Sequence, residues 1–181
     1  MPMLEVSDLV VNYGAIRALK GISFFVEQGE IISLIGSNGA GKTTTIRQIL
    51  GFIKPTSGSI TVNGLDCYKN APEIDKIIGY VPGEIAFPDL GTGISFLKTQ
   101  AELYGLKDFT RANELIQRLA LDTRANLKRM SKGMKQKTAL VAALMNDPEI
   151  IVMDEPTTGL DPLMRDSFLE IIKEEHDRGK T

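Results

Sequence analysis

The chain has 181 residues, 43% of them hydrophobic, with 23 acidic and 21 basic side chains and a net charge of −2. This length suits one sizeable core with a small second lobe. The near-balanced charge excludes a global attraction to nucleic acid or anionic lipid, and no apolar run approaches the roughly 18 residues of a membrane helix. The single cysteine, Cys67, excludes an internal disulfide and a cysteine-cluster metal site. The opening residues read as carrying no secretory signal, which points to the cytoplasm.

In chain order, Leu4 to Val11 and Ile22 to Val26 read as strands, followed by the turn "EQGE". "IISLIG", residues 31–36, is a short apolar, β-branched run suited to a buried parallel strand. "GKTTTIRQILGF" then reads as a helix. "SGSITVNG", residues 57–64, reads as an edge strand, and "IIGYVPG", residues 77–83, as another strand. From Thr92 to Met130 the pattern is helical: Ile94, Leu97, Ala101 and Tyr104 fall on one face, with Gly105 as a stop, and Ala112, Leu115, Ile116 and Leu119 give a second stripe. Ser131 is placed as the N-cap of a further helix, which must end before Pro148. "EIIVMDEP", residues 149–156, is a buried strand closed by two acids. Asp161 and Pro162 start a last helix as N-cap and first-turn proline. Strands alternating with helices predict an α/β fold with a largely parallel sheet.

Two motifs carry chemistry. "GSNGAGKT" matches G-x-x-x-x-G-K-[ST] in full, between a predicted strand and a predicted helix. Glycines let backbone N–H groups turn inward around phosphate oxygens, and the helix N-terminus adds partial positive charge. Gly36, Ser37, Asn38, Gly39, Ala40, Gly41, Lys42, Thr43 and Thr44 are therefore the candidate phosphate-binding residues, with Lys42 for the β- and γ-phosphates and Thr43 for Mg²⁺. In phosphate-loop proteins an acid after an apolar strand holds Mg²⁺ through water, a role given to Asp154. A carboxylate beside it can polarise the attacking water, a role given to Glu155.

"GSNGAGKTT", "MSKGMKQK", "IIVMDEPTTGLDP" and the aromatic in "VNYGAIRAL" occur in an order and spacing that resembles the ATP-binding-cassette (ABC) ATPases. The resemblance runs across all 181 residues. It implies a phosphate-loop core with an N-terminal antiparallel β subdomain, residues 1–91 and 131–181, and a helical subdomain, residues 92–130. It implies that Tyr13 stacks on adenine. Ser131 and Gly133 would cap the γ-phosphate bound to the other subunit of a head-to-tail dimer, and Asp161 would belong to a loop crossing that dimer interface. The implied function is the ATP-hydrolysing subunit of a membrane transporter on the cytoplasmic face of the membrane, with ATP and Mg²⁺ as ligands. The variants "SKGMKQK" and "YVPGE" resemble those of exporter ATPases whose membrane-spanning partner is a separate chain, and the helical subdomain would meet that partner.

The sequence departs from the family in two places. Lys132 and Met134 replace a glycine and a glutamine of the usual signature. Gly83 stands where the family has a glutamine that helps ligate Mg²⁺, so either Glu84 substitutes, the ion keeps an extra water, or Gly83 serves a turn. A rival reading, a non-transport ABC ATPase acting on nucleic acid or ribosomes, draws on the basic cluster Lys128, Arg129, Lys132, Lys135 and Lys137. No aromatics interleave it, and nucleic acid is not expected as a partner. The tail "EEHDRGKT" holds the only histidine, His176, but helical spacing keeps that residue on the last helix with Gly179 as its stop. The family's catalytic histidine would lie beyond Thr181. The 181 residues are thus expected to be an incomplete domain with weak hydrolysis or none.

Overall fold

A computed structural model describes residues 2–157 and 160–181. Two compact units divide the chain, one of residues 1–75 with 179–181 and one of residues 76–178.

The first unit is built on an antiparallel sheet. Strand β1, Leu4–Tyr13, buries Leu4, Val6, Leu9 and Val11, and pairs with β2, Ile16–Val26, in a hairpin whose register runs from Leu4 opposite Val26 to Tyr13 opposite Ile16. Both strands extend further than their apolar residues alone suggest, closing on a tight turn at Gly14. On its other side β1 pairs antiparallel with β3, Ser57–Val62. Gly58 is required there: its φ is +81°, and a Cβ would stand 2.3 Å from the Asp8 carbonyl oxygen. Strand β3 is not an edge. The turn at Asn63 and Gly64, with φ of +49° and +78°, folds the chain back into a two-residue strand β4, Leu65–Asp66, which covers it. Asn-Gly is the short turn that such a hairpin favours. Helices α1, Lys42–Ile49, and α2, Ala71–Asp75, complete this unit.

Residues 31–36 depart from expectation. They join no ladder among the described residues, and Ile31, Ile32, Leu34 and Ile35 are 64, 45, 36 and 93% exposed. An apolar, β-branched run states what a segment can pair with, but pairing needs a neighbouring strand, and the described residues supply none.

The second unit surrounds a two-stranded parallel pair, β5, Ile78–Val81, and β6, Ile150–Met153, in register from Ile78–Ile150 to Val81–Met153. The parallel pairing among the described residues is confined to these strands. Against them packs α5, Lys132–Leu144, so closely that a Cβ on Gly79 would meet the Ala143 carbonyl oxygen at 2.2 Å. Helices α3, Gly93–Leu103, α4, Thr110–Arg118, and α6, Pro162–Asp177, bury Leu97, Leu115, Phe168 and Ile171 in the same core as Leu140, Val141 and Leu144. Truncating any of these leucines to alanine costs about 2–5 kcal/mol. The stop at Gly105 is observed, with φ of +67° directly after the α3 C-cap Tyr104. His176 lies on α6, and Gly179 follows its end with φ of +85°.

Candidate functional site

In the first unit the phosphate loop runs from Gly36 into the N-terminus of α1. Gly39 and Gly41 have φ of +82° and +95°, values that turn backbone N–H groups to one side at little steric cost. Gly41 is also hemmed in, since a Cβ there would lie 2.5 Å from Leu19 Cδ2 and 3.0 Å from the Ala18 carbonyl oxygen. Strand β2 therefore fixes the last turn of the loop. At the other end a Cβ on Gly36 would meet that of Ala40 at 2.9 Å. The Lys42 ammonium donates to the carbonyls of Gly36, 2.8 Å, and Ser37, 3.1 Å. It is held across the mouth of its own loop, while α1 offers its free N–H groups with no side-chain cap to compete. Thr43 and Thr44 begin α1, and Thr45 bonds back to the Gly41 carbonyl at 3.0 Å. Tyr13, at the end of β1, is 43% exposed, which leaves a ring face open to a planar ligand.

In the second unit, Asp154 and Glu155 follow β6. The Asp154 N–H donates to the Val81 carbonyl at 3.0 Å, extending the β5–β6 register by one residue. Gly83 lies against it: a Cβ at position 83 would stand 3.1 Å from the Asp154 carbonyl oxygen and 3.7 Å from its carboxyl carbon. A side chain at 83 would thus enter the space beside that carboxylate, and glycine keeps it clear. Glu84, next in the chain, is exposed. Glu155 has φ of +46°, a strained value for a residue with a Cβ. Its loop is anchored by a residue that sequence reasoning missed. Gln136, buried on α5, donates Nε2 to the Pro156 carbonyl at 2.8 Å. The signal available was a glutamine on the inward face of a helix, which must find a partner when buried.

Ser131 caps α5, its hydroxyl oxygen accepting from Met134 N at 3.2 Å. Gly133 has open space where a Cβ would go, so packing does not demand glycine there. Of the basic cluster, Lys128 pairs with Asp89 at 2.7 Å, Arg129 and Lys132 are exposed, and Lys135 and Lys137 are half-buried. Asp161 caps α6, accepting from Met164 N at 2.9 Å. Thr158 and Gly159, between Glu155 and Asp161, lie outside the described residues.

A glycine-turned loop ending in a lysine at a helix N-terminus, on an α/β chain with paired acids after a strand, defines the class of phosphate-loop nucleotide-binding proteins. The ABC transporter family profile matches residues 19–158. The chain is 39% identical over 99% of its length to the linearmycin resistance ATP-binding protein LnrL of Bacillus subtilis (strain 168). It is 38% identical over 92% of its length to the ABC transporter ATP-binding protein NatA of the same organism, of which it covers 70%. Among solved structures, the ATP-binding subunit of an ABC transporter superposes with a TM-score of 0.91 at 34% identity, over 98% of this chain and 76% of that one. A dimeric bacterial ABC transporter cassette superposes with a TM-score of 0.88 at 26% identity, over 99% of this chain and 85% of that one. The chain belongs to the ABC transporter family. It spans 59% of LnrL and 53% of the bacitracin transport ATP-binding protein BcrA of Bacillus licheniformis.

Proposed function

We propose that the protein is the ATP-binding and ATP-hydrolysing part of an ABC transporter, an exporter whose membrane-spanning subunit is a separate chain. The observation that carries this reading is the phosphate loop, with Lys42 held over it by the Gly36 and Ser37 carbonyls and the uncapped α1 N-terminus behind it. The relatives named for antibiotic resistance and transport support the exporter assignment.

The triphosphate lies in the loop, with its β- and γ-phosphates on Lys42 and the backbone N–H groups of residues 38–43. Adenine stacks on Tyr13. Thr43, through its hydroxyl, and Asp154, through its carboxylate, are the hard oxygen donors that would hold Mg²⁺, and the bound ion would supply charge neutralisation at the triphosphate. Gly83 contributes no ligand and leaves the space beside Asp154 to water. Glu155 accepts hydrogen bonds from a water and orients it for in-line attack on the γ-phosphorus. Ser131 and Gly133 act on the nucleotide of a second subunit, with Asp161 at that interface. Residues 92–130 form the subdomain that faces the membrane subunit on the cytoplasmic side.

The test is nucleotide binding by titration calorimetry. Wild-type chain is expected to bind ATP with Mg²⁺, and Lys42→Ala to lose tight binding. Retained micromolar affinity in that variant would overturn the assignment of the loop.

A further inference from the structure

We infer that Gln136 is a positioning residue for the proposed hydrolysis: its hydrogen bond to the Pro156 carbonyl holds the backbone of Glu155 in the conformation from which the carboxylate acts. The inference rests on the reading of Glu155 as the residue that orients the attacking water. Gln136 lies on α5, is 3% exposed, and donates Nε2 to the Pro156 carbonyl at 2.8 Å. Its amide is shielded from bulk water, which strengthens the bond and makes its loss costly.

The local sequence works against the conformation that Glu155 adopts. A φ of +46° is disfavoured for a residue with a Cβ, and a residue that precedes proline is driven toward extended backbone. Two local preferences point elsewhere, so the surroundings must hold it. They do so from both sides. Before Glu155, the Asp154 N–H donates to the Val81 carbonyl of β5 at 3.0 Å. After it, Pro156 has no N–H, so its carbonyl is the handle that the main chain offers. The ring fixes φ of Pro156 at about −65°. A grip on that carbonyl therefore reaches the Glu155–Pro156 peptide through one free rotation, ψ of Pro156. Gln136 cannot drift with the loop. Ser131 caps its helix, and α5 packs on β5 so closely that a Cβ on Gly79 would meet the Ala143 carbonyl oxygen at 2.2 Å. Both clamps on Glu155 thus belong to one frame, β5 with α5 against it.

The experiment is a double-mutant cycle read by thermal melting, with ¹⁵N relaxation on the same chains; neither needs turnover. Glu155→Gly in the wild-type background is expected to raise Tm by roughly 2–4 °C as strain is relieved. In Gln136→Met, of the same length but without the donor, Glu155 is already free to relax, and the same substitution is expected to give no rise. Residues that act independently would add instead. In Gln136→Met alone, the order parameter of the Glu155 amide is expected to fall from about 0.85 to below about 0.6. The cycle is repeated with Gln136→Asn, which keeps the amide but leaves it one methylene short of the carbonyl, so that a packing defect from methionine does not decide the result. The inference is overturned if Glu155→Gly raises Tm equally with and without the Gln136 donor, if it fails to raise Tm in wild type, or if the Glu155 amide stays as ordered in both Gln136 variants as in wild type. The nucleotide reading is tested apart from this: Lys42→Ala with ATP affinity retained would sink the phosphate-loop assignment and leave the cycle untouched.

Discussion

Glu155 carries its carboxylate on a backbone with φ of +46°. For a residue with a Cβ that region costs about 1 kcal/mol relative to glycine, and such strain persists where the surroundings over-determine it. Here the Gln136 bond to the Pro156 carbonyl supplies a local restraint. Glu155→Gly is therefore expected to raise stability by about 1 kcal/mol, a rise of roughly 2–4 °C in Tm for a chain of this size. A thermal melt with Tm unchanged or lower would remove strain from the account of this residue. Cys67 makes the opposite case, a side chain chemically silenced by its surroundings. It is fully buried, and burial, with a smaller effect from the Asp66 carboxylate, pushes its thiol up to about 12. The thiolate is the reactive form. Iodoacetamide at pH 8 is expected to label Cys67 only in denaturant, and stoichiometric labelling of the native chain within minutes would contradict that placement.

Helix α6 is tied to its neighbours by charge as well as by its apolar face. Glu175 is buried and accepts from Arg111 on α4 and, at 2.8 Å, from Arg178, which also reaches Asp147 at 2.8 Å before β6. Replacing one member of a buried network leaves the others uncompensated. Glu175→Gln is expected to cost about 3 kcal/mol, read as a lower urea midpoint at unchanged m-value. One turn away Arg118 Nη2 donates to Glu174 at 2.8 Å, but this pair is exposed and contributes little. Its sign is still testable. The Arg118 hydrogen bond, followed by the charges of Arg118 and Arg111, holds the Glu174 carboxyl below its ordinary value. The folded pKa is depressed, so the contribution is present above the unfolded value and lost as pH falls through the folded one. The small Tm gap between wild type and Arg118→Ala is expected at neutral pH and should close on acidification; a gap that widened would reverse the assignment. The caps of these helices were legible in the sequence. Ser131 and Asp161 each bond an N–H three residues on, a preference set within one turn. The ties of Glu175 and Gln136 were not, because they join residues 64 and 20 positions apart.

At the scale of the whole molecule the same division holds. The phosphate loop and the paired acids were legible because each is a short pattern whose chemistry demands those residue types in that order. The environment of residues 31–36 was not, because their composition describes a buried strand and only the presence of a neighbour decides whether one forms. Strand β3 shows the converse, read as an edge yet covered by two residues past an Asn-Gly turn. The remaining question of scale is association driven by nucleotide. The Ser131 hydroxyl caps α5 through its oxygen and keeps its own proton for donation, and Gly133 leaves open space beside it. That arrangement can receive a phosphate oxygen from outside the chain. If it receives the γ-phosphate held by another copy, a variant that binds ATP without cleaving it should accumulate as a dimer. Glu155→Gln with ATP is expected to double in mass by light scattering, while adding Ser131→Arg, which fills that space and removes the hydroxyl, should return it to monomer with ATP affinity intact. Glu155→Gln that stays monomeric at saturating ATP, or a dimer indifferent to Ser131→Arg, would show that this serine does not act across subunits.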